Sequence, residues 1–474
     1  MHKHLLATAA TALLLGGCSL MPTYERPAAP VPATYGASAA DSAGAPASAP
    51  QTLAPPAWKD YFTDPRLQQL IALALDNNRD LRMATLAIEQ ARAQWQIQRS
   101  AQWPQIGLGA NAARAPNSSG NLSNTYSVGG ILSAWELDFF GRLGSLKEQA
   151  LAQYLASEEG RNAAQTSLIA AVASAWLALQ ADEEGLDISR RTLATREESL
   201  ALMKLRLDVG TASELDYRQV QSLTEAARVT LAQQQRQRAL NENALALLLG
   251  QPLPPELRAS LPGSRLIEVP SMTALPAGLP SDLLAHRPDI RQAELQLKAA
   301  NANIGAARAA FFPRISLTAQ AGTASSELSE LFKSGTWAFS PTLSALLPIF
   351  DAGRNQAGLQ AAQAGRDMAV AQYEKSIQSA FREVSDALAS QGTLDEQLRA
   401  SQAQLQAEQA RLRLAQLRYD NGVASYLDLL DAQRSLFSLE QAVVQVRLQQ
   451  LQNQVQLYKA LGGGWPAPEA QALL

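Results

Sequence analysis

Two long stretches of the chain, Arg142 to Gln251 and Asp351 to Trp465, contain no proline and are rich in Ala, Leu, Gln, Glu and Arg. These are strong helix formers. The pattern predicts a long helix over 142–207, a tip at 208–213 and a return helix over 213–249. It predicts the same series over 354–419, 420–425 and 425–461. At about 1.5 Å per residue, a long helix of this kind spans roughly 100 Å and a return helix roughly 55 Å. Gly210 and Gly422 suit a left-handed helix stop. Ser213 and Ser425 each precede an acid by three residues, Asp216 and Asp428, the spacing of a capping box. Shorter helices are expected over 81–102 and 290–311.

Between the short and long helices the period changes from that of a helix to strict alternation. Ile106, Leu108, Ala110 and Ala112 alternate with Gln105, Gly107, Gly109 and Asn111. Ile315, Leu317 and Ala319 alternate with Ser316, Thr318 and Gln320, and Trp337, Phe339, Pro341 and Leu343 with Ala338, Ser340 and Thr342. Tyr126, Val128 and Leu132 form a weaker version. Strands are therefore expected over 104–114, 125–138, 313–323 and 336–348, each close to the length of a membrane-spanning β-strand. Pro341 removes one ladder donor.

The two series are copies of one unit. Gly141-Arg142 recurs as Gly353-Arg354, and Arg206-x-x-x-Gly210-x-x-Ser213-x-Leu215-Asp216 recurs as Arg418-x-x-x-Gly422-x-x-Ser425-x-Leu427-Asp428, both 212 residues on. Repeat 1 then covers 58–250 and repeat 2 covers 289–462, joined by 251–288 and followed by a tail, 463–474. Four strands cannot close a barrel, and open sheet edges are not tolerated in lipid. Two copies would make a barrel of about eight strands filled by its own side chains. Three copies would make one of about twelve, so a homotrimer is expected. The other reading is a soluble coiled-coil protein whose β-like runs are turns. No 18-residue apolar stretch suits a spanning helix. The fold class expected is an α+β membrane protein with two internal repeats per protomer.

The first residues read as a targeting segment. Lys3 is followed by the apolar run Leu5–Leu15 and by Leu15-Gly16-Gly17-Cys18, which resembles a lipobox. Residues 1–17 would be the signal peptide and Cys18, the single cysteine of the chain, the acylated first residue of the mature protein. The competing reading is an ordinary secreted chain that loses this cysteine with its signal. Ser19 follows Cys18 where an inner-membrane retention signal would have Asp, so outer-membrane delivery is expected. Residues 18–57, which hold eight of the 24 prolines, read as an extended tether.

Catalysis finds little support. His2 and His4 lie in the signal, which leaves His286 alone and rules out a His-based metal cluster or triad. Gly107-x-Gly109-x-x-Ala112 matches a dinucleotide fingerprint in letters only, because no helix follows it. No enzyme activity, metal or cofactor is expected beyond the lipid on Cys18. A net charge of −3 without a basic run excludes an electrostatic nucleic-acid footprint. The tips carry the remaining chemistry. Asp428 and Asp431 share a helix face, and a trimer would turn each into a ring of three carboxylates that repel unless hydrated or bound to cations. Repeat 1 has Gln219 where repeat 2 has Asp431. The alternatives are a capping role for Asp216 and Asp428, and a solvated surface charge for Asp431.

From Tyr24 to Trp465 the chain resembles the TolC-like outer-membrane factors, in particular the lipoprotein branch of RND-type multidrug efflux channels (the OprM/NodT group). The resemblance is carried by Tyr24-Glu25-Arg26-Pro27, Trp58-x-x-Tyr61-Phe62-x-Asp64-Pro65-x-Leu67, Asn77-Asn78-x-Asp80-Leu81, His286-Arg287-Pro288-Asp289-Ile290 and Ala307-Arg308-Ala309-Ala310-Phe311-Phe312-Pro313. It implies a trimeric 12-stranded transmembrane β-barrel continuous with a long periplasmic α-helical barrel. It also implies an equatorial belt built with 251–288 and the chain after Gly462. Leu427, Asp428 and Asp431 match the constriction of the periplasmic entrance. Tyr419 and Asp216 match a latch whose arginine partner is replaced here by Ala424. Val209, Gly210, Thr211 and Ser213, with Asn421, Gly422, Val423 and Ser425, match the docking points of a periplasmic membrane-fusion adaptor. The implied function is passive conduction of antibiotics and other small molecules across the outer membrane, driven by an inner-membrane proton-driven RND pump. A type I protein-secretion duct and a structural envelope lipoprotein are the alternatives.

Overall fold

The computed structural model describes residues 19–32, 35, 56–116, 118, 120–270, 272, 275, 283–284 and 286–465. Cys18, the signal peptide and most of the expected tether lie outside these residues. The chain forms two compact units.

The first unit contains Thr85–Gly160 and Arg291–Ser376, with the described residues before Pro30. Its centre is a four-stranded antiparallel sheet in the order β1 (Ile106–Pro116), β2 (Leu122–Glu136), β3 (Arg314–Ser325), β4 (Trp337–Leu346). Each repeat supplies one hairpin, and β2 pairs with β3 to join them. A bulge interrupts that pairing between Leu132 and Trp135, where Ala134 turns to φ +44° and its N–H reaches Thr318 Oγ1. β2 begins three residues earlier than expected, because Leu122, Ser123 and Asn124 find partners in Pro116, Ala115 and Arg114. Pro341 lies on β4 opposite Ala319 of β3. The backbones of β1 and β4 each have one unpaired side. Where β2 ends, Glu136 accepts two hydrogen bonds from Arg142, 2.7 and 2.6 Å, and Arg314 pairs with it at 2.7 Å. Gly141 and Gly353, at φ +69° and +86°, supply the turn into each long helix.

The second unit contains the described residues of Pro30–Ala84, Arg161–Ile290 and Ile377–Leu474. Its core forms around α1 (Trp58–Tyr61) and α2 (Pro65–Asn77). Asp64 caps α2 by accepting from Arg66 N at 2.9 Å, and Pro65 takes the first helical position, where its missing N–H costs nothing. Leu67, Leu70, Ile71 and Ala74 recur at helical spacing and are buried. Burying each of the larger ones contributes roughly 1.5–3 kcal/mol. They pack with Ile169, Val172, Trp176 and Leu177 from the long helix α4 (Arg142–Asp208). Tyr61 stacks on Tyr458 at 4.4 Å between ring centroids, and Arg66 lies over Trp176 at 5.7 Å. α4 contains an 18-residue window of mean hydropathy 1.2, half of it buried. The expectation that no stretch is apolar enough for a spanning helix is thereby corrected: helix–helix packing inside the unit uses that apolarity.

The short helices α3 (Arg79–Ser100) and α7 (Pro288–Ala309) both start two residues before their expected positions. Asn78 explains the first, since its Oδ1 accepts from Leu81 N at 2.9 Å and its Nδ2 donates to Leu248 O at 2.9 Å. Pro288 opens the second. The return helix of repeat 1 is α5 (Glu214–Leu249), followed by a short α6 (Pro255–Ala259). Leu253, Leu257, Leu261 and Leu266 of the connection are buried in the same core. Repeat 2 ends with the long helix α8 (Arg354–Asp420) and its return helix α9 (Tyr426–Ala460).

Candidate functional site: the helical tips

Both tips are built the same way. Gly210 and Gly422 take φ +76° and +71° and end the long helices. Thr211 N then donates to Arg206 O and Val423 N to Arg418 O, each at 2.8 Å, which satisfies carbonyls the helix leaves without partners. Two residues later the return helices begin with full capping boxes. Ser213 Oγ donates to Asp216 at 2.7 Å and accepts from Asp216 N at 3.1 Å; the Ser425–Asp428 distances are 2.9 and 3.3 Å. Of the two readings of Asp216 and Asp428, these geometries support capping. Val209, Leu215, Val423 and Leu427 all remain exposed around the turns.

Beneath the tips Met203, Val220 and Leu430 form a small buried core, flanked by Leu200, Leu223 and Tyr426. Asp431 follows Leu430 directly on α9. Its side chain is 40% exposed and ion-paired. Arg411 of α8 donates to it at 2.7 Å and Arg434 at 2.6 Å, while Arg411 also holds Glu408 at 2.8 Å. The hydrogen bond from Arg411 and the charge of Arg434 hold the Asp431 carboxyl below the usual carboxylate range. Asp431, Arg434 and Leu427 line a cleft of about 290 Å3 together with Gln219, Ser222 and Leu223 of α5. Gln219 and Asp431, which the 212-residue repeat makes equivalent, thus face one space. At the repeat-1 positions equivalent to Arg411 and Arg434 stand Ser199 and Ser222, so the charge cluster exists in repeat 2 alone.

The expected Tyr419–Asp216 link does not form within the protomer. Asp216 is engaged by Ser213, and the Tyr419 hydroxyl accepts from Arg206 instead, with that guanidinium 5.5 Å from the ring centroid. Arg206 therefore joins the two tips, a role hidden in the sequence because the partners stand 213 residues apart. Arg411 was equally hidden; only the hairpin brings it to Asp431, 20 residues on. Cys18 lies outside the described residues. Among those residues no cluster of His, Cys, Asp and Glu could hold a metal ion.

The chain matches the family described as Outer membrane efflux protein over residues 70–251 and 279–463. It is 46% identical to a toluene efflux pump outer membrane protein, TtgI, of Pseudomonas putida over 462 residues, 96% of this chain and 97% of that one. It is 46% identical to the outer membrane protein OprJ of Pseudomonas aeruginosa, covering 96% and 94%. In structure it is similar to the open state of the Neisseria gonorrhoeae MtrE outer membrane channel, with a TM-score of 0.84, 41% identity, and 95% and 99% of the two chains covered.

Proposed function

Because this chain belongs to the outer membrane efflux protein family, we propose that three copies close their sheets into one 12-stranded barrel and that the tips gate the duct they enclose. The chain is an outer-membrane channel of a tripartite efflux pump. The observation that carries the trimer is the four-stranded sheet with an unpaired edge on both β1 and β4. Unpaired backbone groups in hydrocarbon cost several kcal/mol each, so the edges of neighbouring copies must pair. Cargo is small and passively conducted; relatives named for toluene, solvent and antibiotic efflux support this class. The energy comes from an inner-membrane, proton-driven RND pump, linked through a periplasmic adaptor. That adaptor docks on the tips, where Val209 and Val423 expose apolar side chains beside Gly210, Thr211, Ser213, Asn421, Gly422 and Ser425. Residues 251–288 and 463–474 contribute to the belt around the helical duct, and Cys18 carries the lipid. The N-terminal peptide of the purified parent should carry an acyl mass that Cys18→Ser lacks; a parent peptide without acyl mass would end that assignment.

Leu427 and Asp431 form the constriction, with Asp428 holding the helix start on which both are mounted. Asp431→Asn, which spares the capping box, should loosen α9 from α8 and raise single-channel conductance in planar bilayers at least twofold. Conductance equal to that of the parent would sink the gate. The pH response follows from sign. A carboxyl whose folded pKa is lowered contributes stability above its unfolded value, near 3.9, and loses it only as pH falls through the lower folded value. The gate should therefore be insensitive to pH between about 5 and 8. It should instead respond to salt, which screens exposed pairs. Conductance divided by bulk conductivity is expected to rise between about 0.1 and 1 M salt.

A further inference from the structure

The N-terminal segment, expected as a free tether, is docked along α7. α7 has two unlike faces, and the segment occupies one of them. Arg26 donates to both oxygens of Glu294, at 3.0 and 2.5 Å, Asn301 Nδ2 donates to Pro22 O at 2.8 Å, and Arg308 donates to Leu20 O at 3.2 Å. Every charged residue of α7 from Arg291 onward, namely Arg291, Glu294, Lys298 and Arg308, lies on this side. At 3.6 residues per turn, a step of two residues turns about 200° around a helix. Gln296 and Asn303 stand two residues beyond Glu294 and Asn301, so they project from the opposite face.

That opposite face floors a cleft of about 380 Å3 between α4, α7 and α8. The volume suits a small molecule. Gln149 and Gln153 of α4 and Gln296 and Asn303 of α7 bring four side-chain amides to it, and no charged residue lines it. Among the described residues, none hydrogen-bonds any of these four amides. α8 contributes Gly358 and Gly365, with alanines completing the wall. A Cβ on either glycine would meet nothing within 4 Å. Glycine weakens a helix interior relative to alanine, and no neighbour within the protomer requires it here. Gly358 follows the start of α8 at Arg354 by about 6 Å of helix rise, so the cleft begins close to the sheet. Repeat 1 carries the same pattern. At the positions 209 residues before Ala299 and Asn303, α3 has Gln90 and Gln94, both exposed on one face.

We propose that this cleft is a cargo subsite of the duct, one in each copy, that holds uncharged aromatic solutes bearing an amide. The lumenal placement rests on the duct and on the lipid at Cys18 proposed above. A segment that leads to a lipid in the surrounding membrane must run outside the wall, which turns the amide face of α7 inward. The chemistry selects the solute. A Gln or Asn side chain offers an N–H donor beside a C=O acceptor, the complement of another amide, which it meets with two hydrogen bonds. The Ala and Gly wall is apolar and lets a flat ring lie close. A carboxylate can only accept, and it finds no cation in the cleft to offset its lost hydration. The occupancy is brief, because a site along a conduit must release what it binds.

The test uses the purified full-length protein in lipid nanodiscs and two solutes of one shape, p-nitrobenzamide and p-nitrobenzoate. Titration followed by saturation-transfer NMR should show p-nitrobenzamide binding about fivefold more tightly than p-nitrobenzoate. Gln153→Leu with Gln296→Leu should weaken p-nitrobenzamide by about fivefold, the loss of its hydrogen bonds. Gly365→Leu fills the cleft from α8 without touching an amide and should weaken it as much. Placement is read separately in planar bilayers. Gln296→Cys, once modified by a cationic thiol reagent, should show a lower single-channel conductance, while the parent should not respond. Equal binding of the two solutes, or p-nitrobenzamide binding unchanged in both variants, would overturn the subsite. Modification at position 296, confirmed by mass, with conductance unchanged would put the cleft outside the duct and overturn it as well. A parent that conducts no ions would instead sink the duct, and the titrations would still decide whether the cleft takes amides.

Discussion

Arg287→Met should cost about 3 kcal/mol of stability. Arg287 is buried with a side chain 5% exposed, and it holds three elements together. Its guanidinium donates to Asp289 at 3.0 and 2.7 Å, at the start of α7. It also donates to Glu383 of α8 at 2.8 Å and to the Ala460 carbonyl at 2.8 Å, at the end of α9. The last of these is a carbonyl that a helix terminus leaves without an intrahelical partner. Removing one partner of a buried ion pair typically costs about 3–5 kcal/mol, because the remaining charges lose compensation. Here Asp289 and Glu383 keep 42% and 38% of their side-chain surface in water, which places the cost at the lower end. Arg287→Lys should recover less than half of the loss, since an ammonium cannot fork onto a carboxylate and reach a carbonyl as well. Thermal unfolding followed by far-UV circular dichroism measures both. A Met variant as stable as the parent would show that these contacts carry little energy.

That string, His286-Arg287-Pro288-Asp289-Ile290, was visible in the sequence as a motif, but its purpose was not. The elements themselves were more legible, because their signals are local. Gly210 and Gly422 mark helix ends through their own φ preference, and Ser213 and Ser425 mark starts through side chains that bond three residues on. The strands announced themselves by alternation. What proved illegible needed a third dimension. Periodicity could place Asp428 and Asp431 on one face without telling a capping acid from an ion-paired one. The clasp of Arg206 on Tyr419 and the pairing of Arg411 with Asp431 cross from one helix to another, so no spacing rule reports them. The docking of residues 19–26 on α7 escaped notice for a different reason. That segment's composition is that of a disordered segment, and it is ordered by contacts that α7 supplies.

The largest effect is expected in the sheet, at Gly322. Gly109, Gly129 and Gly322 stand opposite one another across β1, β2 and β3. At the β2–β3 crossing the backbones approach so closely that a Cβ on Gly322 would lie 2.2 Å from Val128 O, and one on Gly129 would lie 2.4 Å from Ala321 O. Both obstacles are backbone, which cannot rotate aside. Gly322→Val must push β2 from β3, the single pairing through which the two hairpins form one sheet. The penalty should exceed the roughly 1–3 kcal/mol usual for overpacking, because parted strands leave N–H and C=O groups unpaired in lipid at several kcal/mol each. The variant should keep its helical circular dichroism yet fail to accumulate as assembled protein in outer-membrane fractions. Two neighbours serve as controls. A Cβ on Gly130 finds nothing nearer than 3.8 Å, and one on Gly109 meets only the flexible end of Ile131. Alanine at either should be tolerated. Normal assembly of Gly322→Val would mean that β2 and β3 can separate at this point without losing the barrel, and that the glycine row does not govern closure.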